Sequence, residues 1–215
     1  MTSTIDVTAI KSSRKSILLV GLSEAGKTAL FTQLSNQSYV DTVTSMKENE
    51  EQISVRGGRK LITLVDVPGF DRLRNQSWER FKDRSLGIIF VIDSVTFLSN
   101  LHNVADLLYQ YLSDDSITAK RIPFLIACTK QDETRAKTAK VIATQLEKEF
   151  NTIRETRIGA LDTISEDDNT RRILGNENRE FQFSDLRNNI KFIDCNASKE
   201  SPNYDSILKW IDSIA

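Results

Sequence analysis

The 215-residue chain contains one histidine, two cysteines and no apolar run near the roughly 20 residues that a membrane-spanning helix needs. Each scarcity removes a class of function. A single histidine, His102, at the start of an expected helix gives no multi-histidine metal site, so a surface or packing role is expected. Cys128 and Cys195 stand at the ends of apolar runs, where small buried thiols are common. Two such cysteines make no disulfide framework, which points to a reducing compartment. The N-terminus lacks the apolar core of a signal peptide. The chain therefore reads as soluble, as would one trimmed of an upstream anchor. A formal net charge of −1 argues against direct nucleic-acid binding through a basic face. No internal repeat is visible.

What is present is organised around Gly21-Leu-Ser-Glu-Ala-Gly-Lys-Thr28. An apolar, strand-like run, Ser16–Val20, precedes it, and Leu30, Phe31 and Leu34 follow at helical spacing. Strand, glycine-bounded loop and helix make a phosphate-binding loop. Its glycines let backbone N–H groups turn inward, and the new helix adds partial positive charge. Gly21, Leu22, Ser23, Glu24, Ala25, Gly26, Lys27, Thr28 and Ala29 are expected around the phosphates. Lys27 is placed to reach the β- and γ-phosphates, and the Thr28 hydroxyl to ligate Mg²⁺.

Hydrophobic residues make up 39% of the chain, enough for the core of one α/β domain over 16–215, after a flexible lead-in over 1–15. Strand-like runs over 51–55 and 60–65 flank Gly57-Gly58, a hairpin signal. Residues 86–92 and 122–128 read as strands covered on both faces, and 190–195 as a last one. Helical spacing of apolar residues predicts helices over 99–112, 135–150 and 203–214, and a loop then helix within 70–84. Residues 154–189 break the pattern as a polar insertion, within which 180–184 alternate like a half-buried edge strand. The expected fold is a doubly wound, mostly parallel six-stranded α/β sheet with one antiparallel edge hairpin, plus that extra edge strand.

Asp66-Val-Pro-Gly69 ends a strand about 40 residues after the phosphate loop, where an aspartate can hold Mg²⁺ and the Gly69 N–H can bond a γ-phosphate. Thr129-Lys-Gln-Asp132 follows the buried run 122–128. The Asp132 carboxylate can accept two hydrogen bonds from guanine, and the Lys130 stem can cover the base. In Asn196-Ala-Ser-Lys199 the Ala197 N–H can meet the guanine carbonyl.

These four stretches, in this order, resemble the guanine-nucleotide switch proteins, Ras-like and ADP-ribosylation-factor-like. With Asp41-Thr-Val-Thr-Ser45 and Arg179-Glu-Phe-Gln-Phe-Ser-Asp-Leu186, they are most similar to the family of signal recognition particle receptor β subunits. The resemblance implies a P-loop GTPase domain that binds GTP or GDP with Mg²⁺. It also implies an N-terminal membrane anchor, absent from this sequence, on the cytosolic face of the endoplasmic reticulum. The GTP form would bind the N-terminal domain of the receptor α subunit. The 154–189 insertion is implied as well. An ADP-ribosylation-factor-like GTPase of vesicle traffic is the alternative.

Thr28, Asp66 and a switch-loop threonine are the expected metal ligands, with Thr44 chosen and Thr42 the alternative. Lys27 and the Gly69 backbone are the catalytic candidates. Where Ras-like enzymes carry glutamine after the motif glycine, Phe70 stands here, which predicts slow intrinsic hydrolysis. Thr129 replaces the usual asparagine, which predicts a weaker tie between base loop and phosphate loop. Trp78 and Phe81 suggest either core contacts or part of a partner surface, the second being preferred, Trp210 and Ile214 core positions, and Arg72 and Arg74 exposed side chains without a catalytic part.

Overall fold

The computed structural model describes residues 15–36, 48–161, 173–176 and 178–215. Their strands are β1 (Ser16–Val20), β2 (Asn49–Val55), β3 (Lys60–Asp66), β4 (Ser85–Asp93), β5 (Phe124–Thr129) and β6 (Ile190–Asp194). They form a single sheet in the order β2-β3-β1-β4-β5-β6. All neighbours are parallel except the β2–β3 hairpin, which turns at the expected Gly57-Gly58.

The central strands are apolar on both faces because helices cover both. Ile17 and Leu19 of β1 face one layer with α1 (Lys27–Asn36) and α6 (Asp205–Ile214). Leu18 and Val20 face the other, with α2 (Asp71–Phe81), α3 (Leu101–Ser113), α4 (Asp115–Lys120) and α5 (Ala139–Leu161). The strands β1, β3, β4 and β5 all point their C-terminal ends to one edge, where loops 21–28, 66–70 and 129–132 gather.

Three expectations are corrected. Residues 180–184 form no strand. Their alternation is real, since Phe181 and Phe183 are buried against Phe150, but no strand receives their backbone. The Phe181 N–H donates to Asn151 Oδ1 at 2.9 Å and the Phe183 N–H to Glu147 Oε1 at 3.0 Å, so side chains of α5 do the work of a neighbouring strand. Helix α5 starts later than expected, at Ala139, and runs on through Leu161, so the boundary at 154 falls inside a helix. Its continuation is anchored by arginines. Arg154 is buried and donates to the carbonyls of Arg179 and Asn176, while the Arg157 guanidinium lies 4.3 Å over the Tyr109 ring. Trp78 and Phe81 are core residues. Trp78 stacks on Tyr111 at 4.0 Å and donates through Nε1 to Asp114 Oδ2 at 3.2 Å. Trp210 is buried as expected and Ile214 half-buried. Cys128 and Cys195 are free, buried thiols. His102 is exposed and pairs with Glu149 at 2.8 Å. Among the described residues, no helix is long and apolar enough to cross a membrane.

Candidate functional site

The loop 21–28 leaves β1 and enters α1 in a curl that two glycines permit. Gly21 has φ +145°, and a Cβ there would fall 2.4 Å from the Val91 carbonyl oxygen. Glu24 and Gly26 also take positive φ, +63° and +89°. Inside the curl the Lys27 ammonium is buried and donates to the Leu22 carbonyl at 2.6 Å. Burial pushes its pKa down to about 8, against the pull of Asp66 and with a further push from the positive charge of Arg74.

The next element arrives from β3. Asp66 is fully buried, and its Oδ2 accepts from Thr28 Oγ1 at 2.7 Å and from Asn49 Nδ2 at 3.3 Å. Residues 38 positions apart thus put a hydroxyl and a carboxylate at one point, both hard oxygen donors of the kind magnesium takes. Gly69 closes against the phosphate loop so tightly that a Cβ on it would lie 2.7 Å from Ser23 N and Cα. Phe70 is 63% exposed.

On the other side, the Thr129 hydroxyl lies 2.9 Å from both the Ala25 and Ile92 carbonyls. It ties the end of β5 to the phosphate loop and to the end of β4. Lys130 takes φ +60° and its Nζ pairs with Asp93 Oδ2 at 2.8 Å. Asp93 caps the backbone N–H groups of Val95 and Thr96 through Oδ1. Burial raises its pKa, but the bonds from Lys130, Thr96 and Val95 outweigh it and hold the carboxyl below the usual range. The Gln131 N–H reaches the Cys195 carbonyl at 3.3 Å, joining loop 129–132 to loop 195–198. There Ala197 is half-buried and its carbonyl accepts from Gln33 at 3.5 Å. Asp132 is exposed at the rim.

A family model described as the signal recognition particle receptor beta subunit matches residues 12–190, from before β1 to the start of β6. The chain belongs to the signal recognition particle receptor β-subunit family. The human β subunit is 42% identical over 212 residues, covering 95% of this chain and 78% of its own length. A solved mammalian receptor structure superposes with a TM-score of 0.83 at 38% identity, covering 94% of this chain and all of the matched one. The β subunit of Chaetomium thermophilum, solved with GDP, gives 0.70 at 25% identity, covering 96% and 100%. The six-stranded mixed sheet of this receptor β-subunit chain is that of small GTPase domains.

The structure brings residues 21–29, Asp66 and Gly69 together and ties Thr129 to the phosphate loop through Ala25, while Lys130 and Asp132 follow Thr129 and Ala197 lies in the loop that the Gln131 N–H reaches. Thr44 and Thr42 lie outside the described residues. Three residues were missed by sequence reasoning: Asn49, Asp93 and Arg74. Asp93 had a signal, because it ends a central parallel strand at the edge where α/β ligands sit. Arg74 had none, since arginine in a polar helix reads as a solvated face. It is instead buried at 8% exposure and lines a cleft of about 370 Å³ with Ser23, Glu24, Gly69 and Asp93.

Proposed function

We propose that the chain is the GTP-binding switch subunit of a signal recognition particle receptor, acting in co-translational protein targeting. Its GTP form recruits the N-terminal domain of the receptor α subunit on the cytosolic face of the endoplasmic reticulum. The observation that carries this reading is the 2.7 Å contact between Thr28 and Asp66, which joins two expected magnesium ligands, one at the end of the phosphate loop and one at the end of β3. Membership of the receptor family favours it over a vesicle-traffic GTPase of the ADP-ribosylation-factor type.

In this reading the N–H groups of residues 21–28 and the Lys27 ammonium hold the phosphates, with Thr28, Asp66 and Thr44 around Mg²⁺. Magnesium, when bound, neutralises charge on the β- and γ-phosphate oxygens. The Gly69 N–H receives the third phosphate, and with Lys27 it stabilises charge at the β–γ bridge. Asp132 reads guanine, the Lys130 stem covers the base, held by Asp93, and Ala197 meets the guanine carbonyl. Phe70 offers no side-chain hydrogen bond to an attacking water, so hydrolysis is slow and the GTP state is long-lived. A long-lived state suits a protein used mainly as a GTP-dependent binding module.

Fluorescent GTP and GDP titrations with and without Mg²⁺ test nucleotide binding, and capture of the α-subunit N-terminal domain by each loaded form tests the switch. Capture only by the GTP form is expected. Equal capture by both forms would remove the switch, and no binding of either nucleotide would remove the site.

A further inference from the structure

We propose that Arg74 is the positioning residue for the third phosphate: its guanidinium holds the Gly69 peptide to α2 and sets a fixed positive charge beside the phosphate loop. The inference deepens the nucleotide-switch reading and rests on it. Four observations carry it. First, the Arg74 side chain ties the turn: beyond the first helical bond of α2, from its backbone N–H to the Phe70 carbonyl, its Nη1 donates to the Gly69 carbonyl at 2.9 Å. Gly69, the residue expected to meet the third phosphate, is thereby fixed to the first turn of α2.

Second, the guanidinium is incompletely matched by protein. Nη2 pairs with Asp71 at 2.7 Å, but the Asp71 side chain is 86% exposed, so water weakens that pair, while the Arg74 side chain is 9% exposed. Its Nε is buried with no hydrogen-bond partner among the described residues. A buried, part-satisfied cation is costly in a purely structural role and suits a site that receives an anion. Third, Arg74 lines the same cleft as Ser23 and Glu24 of the phosphate loop, and lies near enough for its charge to act on the Lys27 ammonium. Fourth, α2 is itself anchored, by Trp78 stacked on Tyr111 and bonded to Asp114. The Gly69 peptide and the packed helix α2 are thereby coupled by the Arg74 side chain.

A charge that serves the third phosphate must matter to GTP and not to GDP. The test compares fluorescent GTP and GDP affinities, with Mg²⁺, for the unaltered chain, Arg74→Met, Arg74→Lys and Arg72→Met. Arg72 is exposed on the same helix and serves as the control for loss of one charge. For Arg74→Met, GTP affinity is expected to fall about tenfold or more, with GDP affinity within about twofold, because the Gly69 peptide loses its hold and the third phosphate loses a nearby positive charge, both of which concern GTP alone. Arg74→Lys should recover part of the GTP preference, since it keeps the charge and loses the fork. GDP binding reports folding of each variant. Equal losses for GTP and GDP would assign Arg74 a structural role and overturn the proposal, as would an unchanged ratio. Absence of binding by the unaltered chain would instead refute the nucleotide-site reading itself.

Discussion

Replacing Thr129 by valine should loosen the joint between the two halves of the cleft. The hydroxyl is 2% exposed with its residue and carries a single proton, which the Ala25 and Ile92 carbonyls share at 2.9 Å each. Valine keeps the branched shape, so no large cavity opens and the loss is polar. One shared hydrogen bond is worth about 1 kcal/mol, and a buried carbonyl left without its donor adds a similar cost, so about 1–2 kcal/mol is expected in all. For a chain of this size that corresponds to a melting point lowered by about 2–8 °C. Thermal unfolding followed by circular dichroism measures it, in chain free of nucleotide so that binding does not mask the change. Because the bond spans the phosphate loop and the base loop, release of fluorescent GDP should also quicken, by up to about tenfold. A variant that melts within about 1 °C of the parent and releases GDP at the same rate would show that the hydroxyl holds nothing together.

Gly87 faces α6, and a methyl there would come within 2.4 Å of Ile214 Cδ1 and 2.8 Å of Trp210 Cη2, so Gly87→Ala should cost about 1–3 kcal/mol in urea unfolding. Phe70→Gln restores a side chain able to orient water, and single-turnover hydrolysis of bound GTP should speed up; an unchanged rate would place the barrier elsewhere. The Asp93 carboxyl is held below its ordinary 3.8. Its stabilisation is therefore full above that value and lost as pH falls through the lower folded pKa. Asp93→Asn should remove that part of the acid limb, so parent and variant unfolding curves must converge toward low pH and separate above about pH 4.

The strands were legible because their burial is two-sided: β4 and β5 are short continuous apolar runs, too short for a buried helix. The phosphate loop was legible because its glycines answer a steric demand, as the Val91 carbonyl at Gly21 makes plain. Long-range polar burial was not. The last turns of α5 are held by Arg154 and Arg157, residue types that periodicity counts as surface. The alternation over 180–184 correctly gave two buried phenylalanines and wrongly gave a strand, because alternation fixes which side chains are inside and not what receives the backbone. The choice at Trp78 turned on tertiary contacts with Tyr111 and Asp114, whereas Arg74 folds back locally onto the Gly69 carbonyl five residues away, a contact that helical spacing does not reveal.

The chain has two tryptophans, and the fold sets them on opposite faces of the sheet. Trp210 lies on the buried face of α6, packed over Gly87 of β4, whereas Trp78, on the helix that begins at Asp71, lies face to face with Tyr111. Ultraviolet emission therefore offers an unlabelled optical gauge. A change that disappears in Trp78→Phe and survives in Trp210→Phe reports movement of that helix alone, in real time and without any dye on the ligand.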